Sequence, residues 1–571
     1  MNRTYAIAAL ALFMSGISGP ALPAPPPSTV SYPVVTDARL RAAAKDDGWL
    51  MYRRSYDSRG YAPFTEITPG NVGSLQTAFT YVTGMPQGHE APPIVNGRTM
   101  FITLPLDGLI ALDATNGHVL WTYKPNLDMQ ALRAVCCDVV NRGVALYGNI
   151  VYIGTIDDRI IALDARTGHP LWMRRVVPVG KNYAITGAPL VVDGRVITGV
   201  AGGEYGARGL IAAFDAKTGA ALWKRWTIPS PGEPGGDSWP AHAHIRGGGD
   251  TWLTGSYDPK TRTLFWGTGN PSPWFGGLRP GKNLFADSLL ALDVATGRIK
   301  WYYQYTPSDS WDYDGVNELV LIDLKEHGKN IPAIVHADRN GYFFAIDRRN
   351  GKLIYARPFV KVNTILRYDA DGHAVLNPAT YPKIGKVVFS CPSSAGAKNW
   401  YPMSYNPTTN LAYVPTLHLC AKITATGNSH ERFGYFGEFS LTVPEPGSKN
   451  FGELNALDVR SGRKVWSFPS RYPWTGGTLT TASGLVFSGN AAGTFYALNA
   501  RNGSVLWKAK LSSGIVGVPV TYRVANQQYV AVYAGYGGGL AAFGGPAAQL
   551  TAQIPRGGHL YVFALPSSVQ P

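Results

Sequence analysis

The stretch ALDATNGHVLW, residues 111–121, returns six more times along the chain, beginning with ALDARTGHPLW at 162–172, AFDAKTGAALW at 213–223 and ALDVATGRIKW at 291–301. AIDRRNGKLIY at 345–355, ALDVRSGRKVW at 456–466 and ALNARNGSVLW at 497–507 complete the set. In each copy an alternating apolar strand ends in Ala-x-Asp (Asn in the last), a turn closes on Gly six residues after the Ala, and an aromatic residue follows on the next strand. Asp or Asn and Gly tolerate the dihedrals of a tight turn, and the large ring finds a small partner in the Ala, so the pattern reads as a hairpin.

The aromatic ends are spaced by 51, 51, 78, 54, 111 and 41 residues, which makes the unit one four-stranded blade with insertions. A lone blade cannot bury its faces, and blades close into a ring, the β-propeller. Seven hairpins are explicit, and a last strand-like segment, HLYVFALP at 559–566, lacks the motif. The expectation is therefore an all-β, eight-bladed propeller whose final blade joins the two ends of the chain.

Composition agrees: 45% hydrophobic, 12% aromatic and only 16% charged residues, with 66 Gly and 42 Pro, suit a turn-rich β protein. The beginning, MNRTYAIAALALFMSGISGPALPAPPPS, has one arginine, an apolar run, small residues and a proline-rich exit, the layout of a secretory signal peptide covering residues 1–24. Residues 25–571 then form a single propeller domain in an oxidising compartment, the periplasm, with no membrane span. The formal net charge of +15 is scattered among turns without a basic run, which argues against nucleic acid and suits an acidic protein partner.

Four cysteines are present. Cys391 and Cys420 are expected to form a stapling disulfide. Cys136 and Cys137, in AVCCDVVNRG at 134–143, are adjacent, and neighbours ~3.8 Å apart fall short of the ~4.4 to 6.8 Å Cα separation a disulfide prefers. Such a pair is either an accident or part of an active site.

The tryptophan-containing repeat resembles the docking motif of quinoprotein alcohol dehydrogenases of the methanol and ethanol family, which carry pyrroloquinoline quinone (PQQ) on the axis of an eight-bladed propeller. The resemblance covers nearly the whole mature chain, and lanthanide-dependent ethanol-type members resemble it most. It implies that Cys136 and Cys137 form a vicinal disulfide against one face of PQQ. DVVNRG then makes Arg142 a contact to the cofactor's oxygens, for which a planar guanidinium is suited. GGGDTWLTGSYDP at 247–259 would supply Trp252 to the opposite face of the ring.

For the metal, TGVAGGEYGARG offers Glu204 after Gly202 and Gly203, and FWGTGNPSPW offers Asn270; both match the family's oxygen ligands. In SDSWDYDGVNE, Asp312 aligns with the family's general base, which also sits at the metal. Asp314 would point to the same side in an extended segment. Calcium-dependent members usually carry a small uncharged residue at that position, and an added anion favours a trivalent ion. The expected ion is a lanthanide, with Ca²⁺ as the alternative.

Family-like contexts also single out Glu90 in GHEAPPIV, Thr186 in ITGAPLVV, Asn399 in AGAKNWYPMSY and Trp474 in YPWTGGTLTT as cofactor contacts. Arg339, in HADRNGYFFAIDRRNG, would stabilise negative charge as hydride reaches the quinone. The resemblance thus implies that Asp312 takes the hydroxyl proton of a short primary alcohol whose α-hydride passes to PQQ. Electrons then leave to a soluble cytochrome c, because no Cys-x-x-Cys-His for a haem of its own is present. The resemblance also allows a homodimer.

Several features stand outside this pattern. Ala201 occupies a position where many members have Ser, and Tyr355 replaces a repeat tryptophan. His242 and His244 lack a zinc ligand set, which gives them a structural reading. GNSHERFGYFGEFSLTVPEPGS, at 427–448, could cover the pocket or decorate the rim. Non-catalytic propeller scaffolds of the bacterial envelope share similar repeats, and such a scaffold is the rival expectation; it gives no reason for the paired cysteines or the carboxylates.

Overall fold

The computed structural model describes residues 30–177, 182–326, 328–428, 435–542 and 545–567. The expected signal peptide lies outside the described residues. Eight antiparallel sheets succeed one another along the chain, seven of four strands and one, blade 7, extended to five by the parallel pairing of Tyr61–Ala62. They are blade 1 (residues 94–123), blade 2 (144–175), blade 3 (190–226), blade 4 (256–304), blade 5 (320–358), blade 6 (404–470) and blade 7 (479–510). Blade 8 takes Val520–Val524, Gln527–Ala534 and His559–Ala564 from the end of the chain, and Gln76–Val82 from its beginning as the outer strand. The eighth blade is thus closed by antiparallel pairing of the two ends, Tyr81 opposite Leu560.

The repeat explains how neighbouring blades dock. Ala111 pairs across the hairpin with Trp121, and the same Ala and aromatic pairing recurs in every copy, Ala345 with Tyr355 included. Asp113 accepts the Gly117 N–H at its carbonyl and the Thr115 N–H at its carboxylate, both within 2.9 Å, which fixes the turn. Gly117 has φ +77°, and the six equivalent glycines are also left-handed, a conformation other residues adopt at a cost. The first six rings then lie on the turn glycine of the next blade: a Cβ on Gly168 would come within 2.6 Å of Trp121, and one on Gly219 within 2.7 Å of Trp172, whereas Trp507 meets Phe563 of blade 8. The Trp121 indole donates to the Ala165 carbonyl (3.1 Å), Trp172 to Ala216 (3.2 Å) and Trp466 to Ala500 (3.2 Å). Tyr355 does the same work with its hydroxyl, donating to Val459 O at 2.5 Å. In blade 8, Phe79 packs on Gly117 and closes the ring.

Two additions shape the axis. Residues 49–62 run across one end, bonding to Val95 of blade 1, Tyr257 of blade 4, Leu321 of blade 5, Tyr405 of blade 6 and Thr480 of blade 7. A segment that touches inner strands from all around the ring must cross its axis, and it floors the channel. At the other end, Val388–Ser390, Leu419–Ala425 and Glu438–Pro444 form a separate three-stranded sheet, stapled by the Cys391–Cys420 disulfide. Among the described residues no helix is long and apolar enough to cross a membrane.

Candidate active site

The segments that lead into the inner strands converge on a cavity of about 520 Å³. Cys136 and Cys137, joined as a disulfide, line it together with Arg142 and Thr186, just before blade 2 and blade 3. Trp252, before blade 4, has two guanidiniums close to its ring, with Arg142 at 4.8 Å and Arg339 at 5.8 Å from its centroid. Trp400 holds Arg142 from another side, at 5.0 Å. Stacking of this kind keeps a guanidinium flat while its edge stays available.

The acidic wall is built by alternation. In the loop 309–314, Trp311 and Tyr313 are fully buried and stack at 5.8 Å, which leaves Asp312 and Asp314 to face the cavity. Asp309 accepts the backbone N–H groups of Trp311 and Tyr313, each at 3.0 Å. These bonds hold Asp312 at φ +63°, a left-handed conformation that a residue with a Cβ adopts only when its surroundings impose it. Trp311 donates to Ser390 Oγ and Tyr313 to the Pro392 carbonyl, so the capping sheet is tied to this loop.

Arg339 is the cation of the acidic wall. It donates to Asp312 O at 3.0 Å and Asp312 Oδ2 at 3.3 Å, and pairs with Asp314 Oδ2 at 2.8 Å. Glu204 and Asp250 complete the wall. Burial pushes the Glu204 carboxyl up to about 7, with Asp314 adding to the effect. Burial likewise raises Asp312 well above the carboxylate range, although Arg339 opposes it, and raises Asp250, where Glu204 contributes next. Burial works against the Arg339 charge, but Asp314 and Asp312 hold it above its ordinary value. No three of these carboxylates approach within 4.8 Å of one another; among the described residues such a group occurs only at Asp369, Asp371 and His373, exposed on a hairpin turn.

Other expected residues stand behind the wall. Glu90 is buried and pairs with Arg142 at 2.7 Å, so it fixes that guanidinium. Gly203 donates to Asp250 at 2.7 Å, next to Gly202. Asn270 donates its backbone N–H to Asp314 Oδ1 at 2.8 Å. Asn399 does face the cavity and caps the Trp400 N–H. Trp474 differs from expectation: it is packed in the core beside blades 6 and 7, stacked on Tyr496 and donating to Ser488 Oγ at 2.8 Å, away from the cavity wall. Its ring fills space between blades, as most buried tryptophans do.

The insertion whose role was open covers the cavity. Phe436, Glu438, Phe439 and Ser440 line it, Tyr435 donates its N–H to the Glu204 carbonyl, and Phe436 meets Trp274 edge to face at 4.7 Å. Residues 429–434 of the insertion lie outside the described residues.

The family model described as glucose/ethanol/alcohol dehydrogenase, β-propeller domain, matches residues 49–366. Quinoprotein alcohol dehydrogenase PedH of Pseudomonas putida KT2440 is 39% identical over 89% of this chain and 90% of its own length. The chain belongs to the PQQ-dependent alcohol dehydrogenases. The lanthanide-dependent methanol dehydrogenase of Methylacidiphilum fumariolicum SolV is 36% identical over 94% of this chain and 95% of its own. A solved europium-containing methanol dehydrogenase superposes with a TM-score of 0.89 at 36% identity, over 92% of this chain and all of that one. A second model, outer membrane protein assembly factor BamB, matches residues 450–544, a stretch that holds two docking repeats and none of the cavity's carboxylates.

For a PQQ-dependent dehydrogenase the cavity's chemistry fits on two counts. Arg142 Nε and Arg339 Nε have no hydrogen-bond partner among the described residues, and both guanidiniums border the cavity, as donors for anionic or quinone oxygens would. The acidic wall offers only oxygen, the donor set hard cations select. Sequence reasoning missed Asp250, Trp274, Trp400 and the capping Phe436 and Phe439. Asp250 sits two residues before Trp252 in the glycine-rich stretch, and Trp400 directly follows Asn399, so both lay within reach of motifs already in hand.

Proposed function

We propose that this dehydrogenase works in the periplasm after removal of residues 1–24, the remaining chain acting as one propeller domain. It oxidises short primary alcohols to aldehydes and passes electrons to a soluble cytochrome c. The observation that carries the reading is the meeting, in one cavity, of the Cys136–Cys137 disulfide, Trp252, Arg142, Arg339 and the carboxylates of Glu204, Asp312 and Asp314. When bound, PQQ supplies the two-electron acceptor and the ion a Lewis acid.

Each residue then has a role its position supports. Cys136–Cys137 and Trp252 offer two flat surfaces to a planar ring, and Arg142, held by Glu90, its anionic edge. Glu204, Asp312 and Asp314 would hold the ion, and Asn270, bonded to Asp314 from behind the wall, is the further oxygen ligand that the family resemblance implies. Asp312 accepts the alcohol proton once an ion keeps it ionised against burial. Arg339 balances negative charge as the acceptor is reduced. Trp274, Phe436 and Phe439 make the cover apolar and keep water from the reacting carbon, which suits small alkyl alcohols.

Asp314 favours a lanthanide, since a trivalent ion gains more than Ca²⁺ from one more anion. All four cysteines are paired, as an oxidising compartment favours. The formal charge of +15 would speed encounter with an acidic cytochrome. The test is reconstitution with PQQ and either La³⁺ or Ca²⁺, followed by dye-linked ethanol oxidation. Activity with La³⁺ is expected, and Asp314→Ala should remove it while sparing support by Ca²⁺. Equal loss with both ions would remove the case for a lanthanide, and no cofactor absorption with either ion would favour a scaffold.

A further inference from the structure

We propose that Asp250 is a further carboxylate of the cation site, adding an oxygen beside Glu204 and Asp314 and tilting the site toward trivalent ions. This rests on the reading of the hub as a metal-dependent quinoprotein site. Asp250 is only 4% exposed and lines the cavity. Its Oδ2 accepts the Gly203 N–H at 2.7 Å, which fixes the carboxylate next to Glu204. Its Oδ1 has no hydrogen-bond partner among the described residues. A buried carboxylate oxygen left without a donor is costly, and bound cations are the usual remedy.

The local backbone makes room for this arrangement. Asp250 O accepts the Gly269 N–H at 2.6 Å, so Asp250 and Asn270 are held side by side. A Cβ on Gly203 would lie 2.9 Å from Asp250 Oδ1, and one on Gly269 would lie 2.4 Å from Asp314 Oδ1 and 3.5 Å from Asp250 Cβ. Both glycines therefore keep space between carboxylates that any other residue would fill. Charge points the same way. Glu204, Asp250, Asp312 and Asp314 face the cavity, Arg339 pairs with two of them, and Arg142 is taken by Glu90. Within this group of four, one guanidinium faces four carboxylates, and Glu438 of the cap lines the cavity as well, so the excess of negative charge favours an ion of higher charge. Coulomb attraction to each added anion grows in proportion to the charge of the ion, so Asp250 should matter more for Tb³⁺ than for Ca²⁺.

The experiment is isothermal titration of metal-stripped, PQQ-loaded protein with TbCl₃ and CaCl₂, comparing wild type with Asp250→Asn. The Asn oxygen can still accept the Gly203 N–H while the negative charge is gone. Tb³⁺ affinity should fall by about tenfold or more, and Ca²⁺ affinity by less, so that the ratio of the two drops at least about threefold. An unchanged ratio overturns the proposal even if both affinities fall, because a purely structural role would weaken both alike. If Asp250→Asn does not fold, Asp250→Ser, whose hydroxyl can take the same N–H, is held to the same criterion. Wild-type protein that binds neither ion would sink the reading of the hub together with this inference; wild-type binding with an unchanged ratio would sink Asp250 alone.

Discussion

Trp121 on the outer strand of blade 1 and Trp252 at the hub are held by different means. Trp121 lies on the turn glycine of the next blade and gives its N–H to that blade's turn carbonyl, an arrangement repeated with small changes around the ring. Trp252 lies beside Arg142 and Arg339 on a cavity wall, outside the docking repeat. A repeated contact shares the load of closure among its copies, whereas a residue at the axis acts alone. The ring should therefore lose stability but keep its chemistry when cut, and the hub the reverse.

The largest separation is expected at Asp312. Asp312→Asn should lower turnover of the PQQ-loaded enzyme by about 10² to 10⁴-fold. The melting temperature of the metal-free protein should hold or rise, since burial already penalises that charge. A large fall in melting temperature would mean that the hub supports the fold after all. The converse variant, Trp121→Ala, should cost about 3 to 5 kcal/mol of stability by denaturant titration while turnover per bound PQQ stays within about twofold. Trp252→Ala should weaken PQQ by about tenfold, from lost stacking and burial, with little change in melting.

A smaller effect tests the join between ring and cap. His418 bonds to Glu445 at 2.8 Å and Glu453 at 3.0 Å. Burial works against its charge, but the two carboxylates raise it to about 9, and Glu453 falls to about 2, against its own burial, because His418, Ser467 and Lys464 favour its anion. A raised histidine contributes stability that is full below its ordinary 6.5 and is lost as pH climbs through about 9. The advantage in melting temperature of wild type over His418→Gln should thus be present at pH 6 and gone by about pH 10; a constant difference would refute the clamp. Smallest of all, Tyr355→Trp should restore the repeat's indole with a change within about 1 kcal/mol, measured by thermal melting, because either donor can reach Val459 O.

Much of the ring was legible because the same physics is written seven times. The hairpin needs Asp at its turn, Gly in a left-handed conformation and a ring opposite Ala, and the chain repeats all of them. The eighth blade was readable from HLYVFALP, which needed a partner strand and found it in Gln76–Val82. At the hub, Asp312 and Asp314 could be read because a two-residue spacing puts both on one side when Trp311 and Tyr313 turn away. Trp474 packs between blades, and a tryptophan that fills such a gap and one that faces a cavity look alike in sequence. Asp250 was not legible because a single carboxylate in a glycine-rich turn has the same look in sequence whether it faces solvent or a cavity. The cap was open for a different reason: its strands, 388–390, 419–425 and 438–444, pair across long separations, and nothing local says where such a sheet will lie.

The central claim is that side chains distant in sequence meet at the axis to hold a hard ion beside a flat quinone. Crystals grown with PQQ and La³⁺ test it directly through the anomalous scattering of the ion. One dominant peak is expected among the carboxylates of Glu204, Asp312 and Asp314, at about 2.3 to 2.6 Å from their oxygens. A map with its only peak at the exposed turn of Asp369, Asp371 and His373, and none at the axis, would contradict the account.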